Sequence, residues 1–171
     1  LLDFKNKNKK DIFFIIISKS GNTIETLSNL FALNIIAKNK KNIIFISEKK
    51  NNILFEISKK FNLFYIEHNK NIGGRYSVFS EVGIVPAYLM GLNISLLRKN
   101  LSKHLLGNSN LYLKDSCIKL ANIFKQKKIK NLVFCNYAPQ FEKFLFWCQQ
   151  LIAESLGKKG KGFFPIISST P

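Results

Sequence analysis

The chain is short of the residues that metal- and disulfide-dependent proteins rely on. Among its 171 residues are three cysteines and two histidines. Cys117, Cys135 and Cys148 are odd in number and form no Cys-x-x-Cys pair, which excludes a disulfide framework and suggests a reducing compartment. Cys135 and Cys148 lie in apolar stretches. His68 and His104 are isolated and show no zinc spacing, so no metal is expected. No apolar run approaches the ~18–20 residues of a membrane-spanning helix, and no signal peptide is visible. There is no G-x-G-x-x-G and no Gly-Lys-Ser/Thr loop ending, so a nucleotide is not the expected ligand. Acidic residues are scarce, 10 against 27 basic, for a net charge of +17. The lysines are spread along the chain, at Lys5–Lys10, Lys38–Lys41, Lys49–Lys50, Lys59–Lys60, Lys125–Lys130 and Lys158–Lys161. They fall mostly where loops and helix ends are expected, so they read as solvated charge in a Lys/Asn/Ile/Phe-biased composition. No nucleic-acid or membrane partner is expected, and the surplus favours acidic small molecules.

What is present is enough for a core: 46% of residues are hydrophobic. The length suits one domain or parts of two. The chain starts at Leu1 and ends at Thr170-Pro171 with no closing element, so it is expected to be a piece of a longer protein. Ile12–Ile17 is a short β-branched and aromatic run that reads as a buried parallel strand. Apolar periodicity from Leu27 predicts a helix to about Lys38. Ile43–Ser47 is a second strand. Asn51 or Asn52 caps a helix through Ile53, Leu54, Ile57 and Phe61, and Leu63–Ile66 is a third strand. This β-α-β-α-β alternation predicts an α/β sandwich with a parallel sheet between helical layers. Ser80 is placed to cap a helix through Leu89, with Pro86 predicting a kink or a later start. A helical stretch over Leu96–Leu106 reads as a crossover. Helical spacing over 116–129, a strand at Leu132–Cys135, a helix from Pro139 to about Gly157 and an apolar run at Phe163–Ile167 follow.

Three stretches carry chemistry. Ser18-Lys19-Ser20-Gly21-Asn22-Thr23-Ile24-Glu25-Thr26 leaves the first strand and opens a helix. The first N–H groups of a helix lack internal partners and its dipole favours negative charge there, so this turn can cradle an anion. The hydroxyls of Ser18, Ser20, Thr23 and Thr26 surround it, and Asn22 with Glu25 suggests a capping box. The loop also lies at the carboxyl edge of the predicted sheet, where ligands bind in such folds. In Gly73-Gly74-Arg75, paired glycines permit unusual backbone geometry and close approach of a ligand to a cation. Gln150 and Glu154, four residues apart, share one helix face, and Glu154 has apolar sequence neighbours. On spacing alone Glu154 reads as an exposed helix carboxylate; held against apolar walls, it would be a candidate base.

Taken together and in this order, the three stretches resemble one family. Ser18–Thr26 is similar to the phosphosugar loop of the sugar-isomerase (SIS) fold. Gly73-Gly74-Arg75-Tyr76-Ser77-Val78-Phe79-Ser80-Glu81-Val82-Gly83 and Gln149-Gln150-Leu151-Ile152-Ala153-Glu154-Ser155-Leu156-Gly157-Lys158 resemble two signatures of the phosphoglucose isomerases. The resemblance implies a three-layer, flavodoxin-like fold, with a first SIS domain at 1–105, lacking its N-terminal part, and the beginning of a second at 106–171. It implies glucose 6-phosphate and fructose 6-phosphate interconversion in cytoplasmic glycolysis and gluconeogenesis, by a homodimer that needs no cofactor. Ser18, Lys19 (through its backbone amide), Ser20, Thr23 and Thr26 would then bind phosphate. Gly74 would approach the sugar, and Arg75 would stabilise a cis-enediol intermediate. Glu154 would be the base and Gln150 would orient substrate or water. The family's ring-opening His and late Lys match no residue here, and His68 and His104 receive no role. The chain alone is therefore expected to be inactive or nearly so. A non-catalytic SIS-type sugar-phosphate regulator is the alternative reading.

Overall fold

The computed structural model describes residues 8–37, 40–126 and 129–168. The chain divides into two compact units, Leu1–Ile94 and Ser95–Pro171. In the first, strands β1 (Phe14–Ile17), β2 (Ile43–Ser47) and β3 (Phe64–Glu67) form a parallel sheet in the order β1-β2-β3. The register pairs Phe14 with Ile43 and Ile44 with Phe64. Helix α1 (Ile24–Ala32) connects β1 to β2, and α2 (Ile53–Phe61) connects β2 to β3. Every residue of β2 is buried, as expected for a strand paired on both sides and covered by helices. Phe14, Leu27, Leu30, Ile35, Ile43, Phe45, Leu54 and Leu63 form the core.

Helix α1 stops six residues short of the expected end near Lys38. Asn34 turns left-handed at φ 46, and its N–H closes onto the Phe31 carbonyl. Ile35 then drops into the core at 0% exposure, so its apolar character served burial rather than a helical face. Lys38 and Asn39 of the expected turn lie outside the described residues. Helix α2 keeps its expected cap: Asn52 accepts from the Phe55 N–H at 3.0 Å, and left-handed Asn62 ends it.

A 3-10 segment, Gly74–Phe79, leads into α3 (Glu81–Leu89). This helix starts directly after Ser80 and runs through Pro86, so the predicted later start is corrected. The Ser80 hydroxyl does not cap it; it donates to the Ser77 carbonyl at 2.7 Å.

The second unit carries α5 (Leu101–Leu106), α6 (Ser109–Lys125), β4 (Asn131–Cys135), α7 (Glu142–Leu156) and β5 (Phe164–Ser168), following the short α4 (Ile94–Arg98) at the division. The single crossover helix expected over 96–106 is thus two short helices. Helix α6 begins seven residues before its expected apolar pattern, through Asn110 and Lys114, whose polarity hid it. Strands β4 and β5 pair in parallel, Asn131 with Phe164 and Cys135 with Ser168. The Gln149 amide holds α7 to the Pro165 carbonyl at 2.9 Å. Cys135 is exposed rather than apolar-packed; Cys148 is half-buried, and burial pushes its thiol up. No helix among the described residues is long and apolar enough to cross a membrane.

Candidate active site

The three strands of the first unit end side by side. Their next residues, Ser18, Glu48 and His68, continue the ladder: Ser18 donates to the Ile46 carbonyl, Glu48 to Lys19 and His68 to Ser47, at 3.1, 3.0 and 2.8 Å. The carboxyl edge is therefore an ordered floor on which the loops after β1 and β3 both rest.

The loop after β1 is built around hydroxyls. Ser18 is 6% exposed, and its Oγ lies 2.7 Å from Thr23 Oγ1 and accepts from the Gly21 N–H at 3.1 Å. Ser20 Oγ accepts from the Asn22 N–H at 3.2 Å and stands 3.5 Å from Thr23 Oγ1. Ser18, Ser20 and Thr23 thus meet in one cluster, with Ser20 and Thr23 exposed and Thr26 half-buried in the first turn of α1. Thr23 is the N-cap of α1 but makes no side-chain cap bond. The capping box expected from Asn22 and Glu25 is replaced by a cap to a different helix: Asn22 Oδ1 accepts from the Ile53 N–H of α2 at 2.9 Å. The first amides of α1 are consequently not taken up by their own N-cap side chain, which suits an anion.

Gly21 fixes the shape of this loop. Its φ is +70, and a Cβ there would lie 1.9 Å from Asn52 Oδ1. Asn52 cannot yield easily, because it is 4% exposed and donates to the Glu48 carbonyl at 2.7 Å. Only glycine meets both conditions.

The Lys19 side chain is turned away from the hydroxyl cluster. Its Nζ donates to the Ile72 carbonyl at 2.9 Å and the Lys70 carbonyl at 3.3 Å, and lies 3.5 Å from Glu48 Oε1. Glu48 also pairs with Lys50 at 2.7 Å. The hydrogen bond from Lys50, opposed by burial and helped by the charges of Lys50 and Lys19, holds the Glu48 carboxyl below its ordinary value. Lys19 therefore straps the loop after β1 to the loop after β3.

That second loop carries Gly73-Gly74-Arg75. Gly73 has φ −66, and neither glycine is in the left-handed region, so the unusual backbone expected for this pair is absent. A Cβ at Gly74 would meet nothing within 4 Å. The space over Gly74 is open. Arg75 is half-buried at the start of the 3-10 segment. The turn is closed by the Tyr76 N–H to the Gly73 carbonyl at 2.9 Å and by Ser77 Oγ to the Gly74 carbonyl at 2.6 Å.

His68, given no role from sequence, is 2% exposed. Its Nδ1 faces Glu81 Oε1 and its Nε2 lies 3.2 Å from the Ile72 carbonyl oxygen. Burial pushes the Glu81 carboxyl up, but its own N–H, the His68 ring and the Asn69 N–H outweigh that and hold it below its ordinary value. No signal in the sequence marks this pair, because thirteen residues and a loop separate its members.

In the second unit, Gln150 and Glu154 meet on α7 as their spacing predicted: Gln150 Nε2 donates to Glu154 Oε1 at 2.9 Å. Glu154 is exposed, as its spacing alone favours, rather than held against apolar walls. A hollow of about 710 Å³ beside the end of α7 is lined by Ala153, Gly157 and Phe164, and Glu154 is not among its lining residues.

Comparison with known proteins bears on these loops. A family model described as phosphoglucose isomerase matches residues 2–162. A probable glucose-6-phosphate isomerase of Methanococcus maripaludis is 35% identical, over 94% of this chain and 38% of its own. The glucose-6-phosphate isomerase of Campylobacter jejuni is 36% identical, over 88% and 38%. The crystal structure of a hypothetical protein from Thermus thermophilus matches with a TM-score of 0.79 at 22% identity, over 96% of this chain and 43% of that one. The chain spans about two fifths of the length of the curated relatives it matches.

Proposed function

Since the chain belongs to the phosphoglucose isomerase family, we propose that the protein it represents interconverts glucose 6-phosphate and fructose 6-phosphate through a cis-enediol intermediate. The observation that carries this reading is the hydroxyl cluster of Ser18, Ser20 and Thr23 at the opening of α1, strapped by Lys19 to the Gly74-Arg75 loop. Ser18, Ser20, Thr23 and Thr26, with the Lys19 backbone amide, hold the phosphate, and this remote handle supplies binding energy for chemistry at the other end of the sugar. The sugar approaches over Gly74. Glu154, oriented by Gln150, takes the proton from carbon 2; the electron pair of that C–H bond forms the carbon 1–carbon 2 double bond as the carbonyl pair moves onto oxygen 1, the hydroxyl proton of carbon 2 passes to oxygen 1, and as the carbon 2 carbonyl forms, the double-bond pair takes the proton from Glu154 at carbon 1. Arg75 stabilises the oxyanion that develops. No step calls for a cofactor.

The proposal reads the chain as an SIS domain at 1–105 and the beginning of another at 106–171; the compact units divide eleven residues earlier, after Ile94. Homodimer assembly and a cytoplasmic place in glycolysis and gluconeogenesis belong to the same proposal. A sugar-phosphate-binding regulator would need only the hydroxyl loop; the presence of Arg75 and Glu154 favours the enzyme. The test is turnover of fructose 6-phosphate by the full-length protein, with Glu154→Gln beside it. Turnover that Glu154→Gln abolishes supports the reading, and an inactive wild-type protein that still binds fructose 6-phosphate would favour the regulator.

A further inference from the structure

The buried His68–Glu81 pair lies outside the set of groups assigned to substrate. Its ring is flanked by two acceptors. A carbonyl oxygen can only accept, and so can an ionised carboxylate. The Ile72 carbonyl lies 3.2 Å from Nε2 and the Glu81 carboxylate faces Nδ1, so the ring is held at both of its nitrogens. The carboxylate is ionised in this setting: it opens helix α3, where the dipole favours negative charge, and it also accepts from the Asn69 N–H at 3.3 Å.

The Ile72 carbonyl receives a second donor. Lys19 Nζ reaches the same oxygen at 2.9 Å from the loop after β1. One carbonyl therefore joins three segments: the hydroxyl loop through Lys19, the end of β3 through His68, and the opening of α3 through Glu81. Gly73, Gly74 and Arg75 follow it directly in the chain.

We propose that His68 and Glu81 are positioning residues that fix the Ile72 carbonyl and so set the register of Gly74 and Arg75 against the phosphate loop. The inference rests on the isomerase reading for its kinetic consequence. It predicts that the pair acts on the reacting end of the sugar, through Arg75, and leaves the phosphate handle intact. Loss of the pair then lowers kcat while KM stays nearly constant, the pattern of an interaction that matters in the transition state.

The experiment compares Glu81→Gln, Glu81→Ala and His68→Leu with wild type in the full-length protein, each at a measured folded fraction. Glu81→Ala and His68→Leu are expected to lose about ten- to a hundredfold in kcat, the scale of an ångström-level misplacement. KM for fructose 6-phosphate is expected to change by less than about threefold, since uniform binding is untouched. Glu81→Gln, whose amide oxygen still accepts from Nδ1, is expected to retain more turnover than Glu81→Ala. Unchanged kcat in folded Glu81→Ala, or a rise in KM with kcat preserved, overturns the proposal. A wild-type protein without turnover would sink the isomerase reading but not this one, which is then read by amide hydrogen exchange. Glu81→Ala should speed exchange at Ile72–Tyr76 and leave β2 protected. Unaltered exchange at Ile72–Tyr76 would overturn it.

Discussion

Strands β2 and β4 are both five-residue strands in parallel sheets, yet their surroundings differ completely. Every residue of β2 is buried, whereas β4 alternates between exposed and half-buried, with Val133 at 52% exposure. Strand β2 has a partner on each side; among the described residues β4 has β5 alone. Among the described residues, the buried hydrophobic side chains fall between Phe14 and Ala87, apart from Pro165 in β5. A parallel sheet needs both faces covered and more than two strands to bury its residues. The difference teaches that the residues named in the two units stand on unequal supports: the hydroxyl loop after β1 grows from a packed core, while Glu154 sits exposed on a helix packed on a two-stranded sheet.

The largest test of that contrast is chemical. Glu154→Gln in the full-length protein is expected to lower kcat by about 10²–10⁴, the range for removing a general base, with KM little changed. A small effect would show that the second unit contributes no base. The next is stability. Phe45→Ala is expected to destabilise the first unit by about 3–5 kcal/mol, the cost of a large buried side chain. Val133→Ala, half out in solvent, is expected to cost well under about 1 kcal/mol, as for a surface substitution. Chemical denaturation of the 171-residue chain would compare them; equal costs would mean that β4 is covered in solution. Third, Ser18→Ala with Thr23→Val is expected to raise KM about tenfold or more, as for lost hydrogen bonds to a charged group, with kcat less affected. Steady-state kinetics would separate this from the Glu154 effect.

The smallest effect is on the acid limb. The Glu81 and Glu48 carboxyls are both lowered from 4.5 in the folded state. A lowered carboxyl contributes stability that is complete above its unfolded value and is lost as pH falls through the folded one. The first unit should therefore lose stability as pH drops below about 4.5, and Glu81→Gln should flatten that decline. Urea midpoints measured between neutral and acid pH would show it.

The strands and helices of the first unit and the hydroxyl-rich turn after β1 could be read from the sequence because their causes are local. Ile43-Ile44-Phe45-Ile46 is apolar throughout since β2 is buried throughout, and Asn52 caps the helix it immediately precedes. Where the sequence misled, a distant contact had taken over. Asn22 looked like the cap of its own helix and instead caps α2, thirty-one positions on. Ile35 and Ile36 carried a helical pattern, but left-handed Asn34 had already ended the helix. His68 and Glu81 meet only because β3 and α3 bring them together. For Glu154, spacing placed Gln150 beside it and favoured the exposed helix position it occupies, since helical periodicity is local.

The strands have one more property in common. Lys9, Lys10 and Lys19 bracket β1; Lys40, Lys41, Lys49 and Lys50 bracket β2; Lys59, Lys60 and Lys70 bracket β3; Lys130 precedes β4 and Lys161 precedes β5. Short β-branched windows such as Ile43–Ile46 self-associate readily while a chain is still unfolded, and flanking like charges oppose that. The lysines of the +17 surplus that flank the strands are therefore expected to oppose pairing of these windows between neighbouring copies while the chain is still unfolded.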